Sequence, residues 1–337
     1  MQTLHRRTVL KAGLGALSGF GLLDKISPAL AQTSPQPVVI GEAKGTGQSA
    51  QLPLGVYGGF FKRQGLDVTI RLFNSGAEMG PALIAGSLKM IVTGDIPGIP
   101  IMAVGAPVKA LCPVSDYAVD QAIVARDSIK TPEDLIGKKV ALFKGSTASL
   151  LIARYMAQYN LDPSRITLIH MDPLQQISTL VAGDIDAFVS WEPHIWTAVK
   201  RAPGAHVLAR GNEPKQLIRV FNLLLVRQDY LQENGDTVRK VLKGIVEAQR
   251  TLASDRGISE AATYIHDKEG IDIPVDALEA MIKQRKFTMR INKDFIDAEA
   301  ANSQFLLEME KIKRKPDVLS WLDPAPLREV QPDFVEI

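Results

Sequence analysis

The chain carries one strand-and-turn unit twice. Residues 83–97 read LIAGSLKMIVTGDIP, and residues 180–193 read LVAGDIDAFVSWEP. In each copy an apolar helix end runs into Ala-Gly, a short apolar strand follows, and the strand stops at a carboxylate near a proline. Gly86 and Gly183 suit helix C-caps, where left-handed backbone angles carry no side-chain penalty. Pro97 and Pro193 cannot continue a central strand, so Asp95 and Glu192 are expected at strand ends. The echo extends upstream, where VVIGEAKGTGQSAQLPL precedes the first copy and KKVALFKGSTASLLIA precedes the second. Both contain an apolar strand, a Lys-Gly turn (Lys44-Gly45 and Lys144-Gly145) and a helix. Two such units predict two α/β lobes. Ligands of open parallel sheets collect beyond the carboxyl ends of the strands, where these turns lie.

The 337 residues are enough for two domains. Residues 1–31 have the pattern of an export signal. His5-Arg6-Arg7-Thr8-Val9-Leu10-Lys11 is followed by an apolar stretch too short to span a bilayer, then by the small-x-small site Ala29-Leu30-Ala31. The paired arginines resemble a twin-arginine signal, with an ordinary Sec signal as the alternative. Of 39 basic and 37 acidic residues, the leader holds Arg6, Arg7, Lys11 and Lys25 against Asp24, so the remainder has one more acid than base. Nothing in that balance points to nucleic acid. Cys112 is the only cysteine, which excludes an intrachain disulfide and a cysteine metal site and suits a buried thiol.

Strands are expected over residues 38–43, 67–73, 88–93, 108–114, 138–143, 166–170, 186–190 and 220–226. Helices are expected over 49–63, softened by Pro53 and Gly58-Gly59, and over 79–85, 174–181, 238–252, 259–265, 275–286 and 293–312, with another ending at Tyr159. Thr131 should cap a short helix with Pro132 in its first turn. The domain organisation that follows is one lobe from 36–118 plus 220–325, the latter carrying a helical tail, and a second lobe from 119–219. Hinges are expected near Ser115–Gln121 and Leu217–Val220.

No enzyme constellation is present: there is no Gly-x-Ser-x-Gly elbow, His-Glu-x-x-His or Walker loop. The five histidines lack metal-ligand spacing. Neither a cofactor nor a metal is expected, although an active site assembled from distant residues stays open as an alternative. Binding chemistry is better marked. Lys144, Gly145, Ser146 and Thr147 sit between a strand and a helix start, where free N–H groups and two hydroxyls can cradle an anion. Ser146 or Thr147 capping that helix is a competing and compatible role. Lys44 and Gly45 are the counterpart on the facing lobe. Trp191 offers an apolar wall and one N–H donor, or else a plug packing its own lobe. Asp95 suits a helix cap.

Together KG (44–45), TGDIP (93–97), KVALFKGST (139–147), GDIDAFVSWEP (183–193) and FNLLLVRQDYLQEN (221–234) resemble the periplasmic substrate-binding proteins of ABC importers for aliphatic sulfonates, taurine and nitrate, above all the alkanesulfonate binders. The resemblance runs from Val38 to about Leu252. It implies a type II periplasmic-binding-protein fold, α/β in class, with a ligand cleft between two lobes. It implies ligand contacts at Lys44, Gly45, Thr93, Gly94, Asp95, Lys144, Gly145, Ser146, Trp191 and Glu192, with Phe221 on the returning strand; Thr147 and Gln48 join them as candidates. The chain has Trp191-Glu192-Pro193 where those binders usually have Trp-Asp-Pro. The expected function is capture of a small organic anion, an aliphatic sulfonate before nitrate, bicarbonate, taurine or an aromatic acid. The expected partner is an inner-membrane ABC permease with its ATPase. The expected location is the periplasm, as a soluble protein after cleavage near Ala31. An enzyme on the same scaffold is the less favoured alternative.

Overall fold

The structure, a computed structural model, describes residues 34–44 and 50–337. The export-signal expectation over residues 1–31, and the turn residues Gly45 and Gln48, lie outside the described residues. In chain order the strands are β1 (Gln36–Ala43), β2 (Leu66–Phe73), β3 (Met90–Gly94), β4 (Val108–Asp116), β5 (Gln121–Ala125), β6 (Lys139–Leu142), β7 (Thr167–His170), β8 (Ala187–Trp191), β9 (His206–Arg210), β10 (Phe221–Arg227) and β11 (Lys286–Phe287). The helices used below are α1 (Gln51–Tyr57), α2 (Phe60–Arg63), α3 (Gly76–Ile84), α4 (Asp95–Ala103), α5 (Thr147–Gln158), α6 (Pro173–Ala182) and α7 (His194–Arg201). They are followed by α8 (Gln228–Glu233), α9 (Gly235–Thr251), α10 (Asp255–Glu269), α11 (Val275–Gln284) and α12 (Lys293–Glu308).

Two sheets form, and they share one plan. The first has the order β11-β4-β10-β3-β1-β2, the second β7-β6-β8-β5-β9. In the first, β2, β1 and β3 are parallel and β10 lies antiparallel beside β3. In the second, β7, β6 and β8 are parallel and β5 lies antiparallel beside β8. The repeated sequence units thus supply β3 and β8, which hold equivalent places. Every residue of both strands is buried, as their largely apolar runs, interrupted by Thr93 and Ser190, suit strands covered on two faces.

The antiparallel strand of each sheet arrives from the other sheet. The chain crosses between β4 and β5 and returns between β9 and β10, and the two crossings meet where Tyr117 N–H donates to Val220 C=O at 3.1 Å. Leu223, Leu224 and Leu225 of β10 are fully buried, each contributing roughly 1.5–3 kcal/mol, which ties the returning chain into the first sheet.

Local chemistry explains the boundaries. Gly183 ends α6 in the left-handed conformation at φ 87°, taking its N–H back to Thr179 and Leu180 carbonyls. Gly86 has φ 78° just beyond the cap of α3. Thr131 forms a capping box with Asp134 ahead of the short turn Pro132–Leu135. The single helix expected over 49–63 is two, because the chain breaks at Gly58-Gly59, the latter at φ 75°. The helix expected to reach residue 286 stops at Gln284. Arg285 leaves it to pair with Asp120 at 2.6 Å, and Lys286–Phe287 becomes an edge strand on β4. Helices α4, α7 and α8 and strands β5 and β9 were not anticipated. In α4, Pro97 looks like a breaker, but it falls in the first turn, where no intrahelical N–H bond is lost. Among the described residues no helix is long and apolar enough to cross a membrane.

Candidate functional site

Strands β2, β3 and β6 each run directly into a helix, and the three helix starts converge. Ser75 precedes α3, Gly94 precedes α4, and Ser146 precedes α5, all with extended backbone angles. A cavity of about 30 Å³ lies between these starts. The first sheet's side supplies Ala43, Ser75, Gly76, Ala77, Gly94, Pro97 and Tyr117; the second's supplies Gln121, Phe143, Ser146, Thr147 and Trp191. The first N–H groups of a helix have no partner within it, and each start carries the positive end of the helix dipole. Three such ends around one small space make a site for negative charge. A larger recess of about 350 Å³ lies near Met102, Lys109 and Trp321, at the far end of α4, where no such starts converge.

Two donors in the cavity wall have nothing to donate to. Ser75 Oγ and Trp191 Nε1 are both buried, and neither has a hydrogen-bond partner. An unpaired buried donor costs about 1–3 kcal/mol, so both are poised for an acceptor that a ligand brings. Ser146 differs. Its hydroxyl donates to Phe143 C=O at 2.7 Å and accepts from Ala148 N–H at 3.2 Å, so it shapes and caps the start of α5.

Below the cavity runs a chain of hydrogen bonds linking the two sheets. Tyr117 Oη and Thr147 Oγ1 are 2.6 Å apart, and Tyr117 Oη donates to Asp95 Oδ1 at 3.4 Å. Asp95 is fully buried and accepts from Ile96 N–H at 2.7 Å, Phe221 N–H at 3.0 Å and Asn302 Nδ2 at 2.8 Å. Burial outweighs these bonds and pushes its carboxyl up to about 7. Glu299 of α12, also fully buried, is pushed well above the usual carboxylate range by burial and then by the charge of Asp95. Burial, then Asp95, likewise keeps the Tyr117 hydroxyl protonated. A Cβ at Gly94 would strike that hydroxyl, so glycine is required for Tyr117 to lie across the cavity.

Of the residues expected from the sequence, Gly94, Ser146, Thr147 and Trp191 come together at the cavity. Thr93 and Asp95 lie beneath it, fully buried. Lys44 and Lys144 are exposed and do not line it; Lys144 N–H donates to His170 Nδ1 at 3.0 Å. Gly145, at φ 89°, forms the turn before α5 without lining the cavity. Glu192 is turned elsewhere: one oxygen pairs with Arg210 at 3.2 Å and the other accepts from Trp196 N–H at 3.0 Å, which anchors α7. Phe221 packs edge-on against Phe295, with centroids 5.2 Å apart, rather than on the cavity. Ser75, Tyr117, Gln121 and Phe143 were missed. The Asn74-Ser75-Gly76 turn carried a signal for the first, since it follows a strand, and Phe143 ends the expected strand of the repeated KKVALFKGST segment; Tyr117 and Gln121 sit in a segment that the repeat does not mark.

The comparisons with known proteins agree with this architecture. A model of the NMT1-like family matches residues 32–266. The chain belongs to the NMT1-like family. Among relatives in this family's company, the taurine-binding periplasmic protein of Escherichia coli K12 is 25% identical over 295 residues, covering 83% of this chain and 86% of that one. The alkanesulfonate-binding protein SsuA of Xanthomonas axonopodis pv. citri, solved with MOPS bound, superposes with a TM-score of 0.72 at 22% identity, covering 86% and 99%. The periplasmic aliphatic sulphonate binding protein SsuA of Escherichia coli gives 0.72 at 25% identity, covering 86% and 97%. The two-sheet α/β architecture with C-terminal helices is that of the SsuA periplasmic-binding-protein fold.

Proposed function

We propose that this chain is the periplasmic solute-binding component of an ABC importer, and that it captures a small organic anion, an aliphatic sulfonate first among candidates. The observation that carries this reading is the convergence of three helix starts on a cavity with two unpartnered donors, Ser75 Oγ and Trp191 Nε1. The sulfonate- and taurine-binding relatives support the ligand class. In this reading residues 36–118 with 220–325 form one lobe and 119–219 the other. The present cavity holds about one water's volume, so the lobes part to admit a ligand, and opening separates Tyr117 from Thr147. Gly45 and Gln48, outside the described residues, are retained as candidate ligand residues. The leader directs export by the twin-arginine route and is removed near Ala31, and an inner-membrane permease with its ATPase receives the ligand.

Calorimetric titration with methane-, ethane- and butanesulfonate and with nitrate tests the reading. A short sulfonate should bind, and the gain per methylene, roughly 0.8 kcal/mol, should end early because the closed space is small. Ser75→Ala should weaken binding by about 1.5–3 kcal/mol, the cost of one hydrogen bond to a charged group. Nitrate binding tighter than every sulfonate would sink the organic-anion reading, and product formed from any sulfonate would favour the enzyme alternative.

A further inference from the structure

We infer that the cleft accepts an anion whose body is uncharged and rejects one that also carries an ammonium group, and that Gln121 sets this preference. The inference rests on the anion-binding reading above. Its basis is the sign of the charge around the cavity. The starts of α3, α4 and α5 each present the equivalent of roughly half a positive charge to the same small space. A sulfonate gains from all three. An ammonium two carbons away meets the same positive ends and needs a carboxylate to offset them, because an unpaired charge taken out of water is strongly disfavoured.

No such carboxylate lines the cavity among the described residues, where Tyr117 is the one titratable side chain and is held neutral. The carboxylates nearby are otherwise engaged. Asp95 lies under the floor with both oxygens accepting hydrogen bonds, and its raised pKa leaves it partly protonated at neutral pH. Glu192 is held by Arg210 and Trp196 N–H. Glu42, one residue before the lining Ala43, does not line the cavity and has a partner of its own. Residues 45–49, outside the described residues, read GTGQS and include no ionisable side chain.

Gln121 stands where the missing charge would be needed. It opens β5, is buried, lines the cavity, and its carboxamide oxygen has no partner. A glutamate there would have the same shape and would neutralise an ammonium. A glutamine can hydrogen-bond a hydroxyl or cover a methyl but cannot supply charge. The remaining wall, Ala43, Pro97, Phe143 and Trp191 among it, suits an uncharged carbon body.

The test is calorimetry on the mature protein with three sulfonates of nearly equal size: ethanesulfonate, 2-hydroxyethanesulfonate and taurine. The first two should bind similarly and taurine about 100-fold more weakly, a difference of about 2.7 kcal/mol. The hydroxyl compound controls for size, since it differs from taurine chiefly in charge. Gln121→Glu should shrink or reverse the ranking by gaining taurine and losing ethanesulfonate. Ala77→Asp, at an exposed position on the cavity rim, provides a second added carboxylate should the first variant fold poorly. Taurine binding as tightly as ethanesulfonate to the unaltered protein overturns the exclusion while leaving the anion cleft intact. A correct ranking that neither variant shifts removes the role assigned to Gln121. Failure of all three sulfonates to bind overturns the anion cleft itself, and this inference with it.

Discussion

Asp95 and Glu192 occupy the same place in the repeated unit, just after β3 and β8, yet the molecule uses them differently. Asp95 is met by donors without charge: two backbone N–H groups, the Asn302 amide and the Tyr117 hydroxyl. With no cation beside it, burial dominates and its carboxyl holds a proton to about pH 7. Glu192 is met by Arg210, which opposes the upward push of burial, and it fastens α7 to β9. One carboxyl therefore ties the returning strand and a C-terminal helix beneath the cavity, while the other locks the rim of the second sheet. Equal position in a repeat does not give equal role, because the partner comes from outside the repeat.

The sharpest way to break this contrast is Asp95→Ala. It leaves the buried Ile96 N–H and Phe221 N–H without their acceptor and takes from the Asn302 amide one of its two, Arg219 C=O at 2.9 Å remaining. A loss of about 3–5 kcal/mol in urea unfolding is expected, against a typical mutation near 1. A loss no larger than the typical one would mean that water or repacking satisfies those donors.

The second effect is on pH. A carboxyl whose folded pKa is raised stabilises the fold below its unfolded pKa, and that contribution is lost as pH rises through the folded value. Asp95 is raised from 3.8 to about 7 and Glu299 well above its usual 4.5, so their contribution to stability should fall as pH rises from about 4, Asp95's share ending at about pH 7 and Glu299's continuing beyond it. His194, held down from 6.5 to about 4 by burial, acts in the opposite sense between those values, so the fall due to the carboxyls shows most clearly above about pH 6.5. Glu299→Gln should flatten the slope. A slope unchanged in that variant would place the titrating group elsewhere.

The smallest effect is expected at Glu192. The Arg210 side chain is 22% exposed, so Glu192→Gln should cost about 1 kcal/mol of stability. Anion affinity should stay as it is, because Glu192 does not line the cavity. A tenfold or greater loss in a binding titration would show that its carboxyl acts on the ligand and would erase the distinction from Asp95.

Much of the fold was legible in the residues. The repeated unit announced two matching sheets because β-strands buried on both faces are mostly apolar along their whole length, and because glycine and proline punctuate their ends. The turn at Ser146-Thr147 and the wall at Trp191 were visible for the same local reason: a hydroxyl before a helix and an indole after a strand act where they stand. What the sequence could not show is which neighbour each group meets. Lys44 and Lys144 look like anion ligands in a linear motif, yet both face solvent. Tyr117 and Gln121 flank the first crossing between sheets, and they reach the cavity because that crossing pairs with the return at Val220. Local propensity settles a strand, a cap or a turn within a few residues. The charge of a site, the freedom of a donor and the occupancy of a carboxylate depend on side chains more than a hundred positions apart, such as Asp95 and Asn302, and only the packed molecule brings those together.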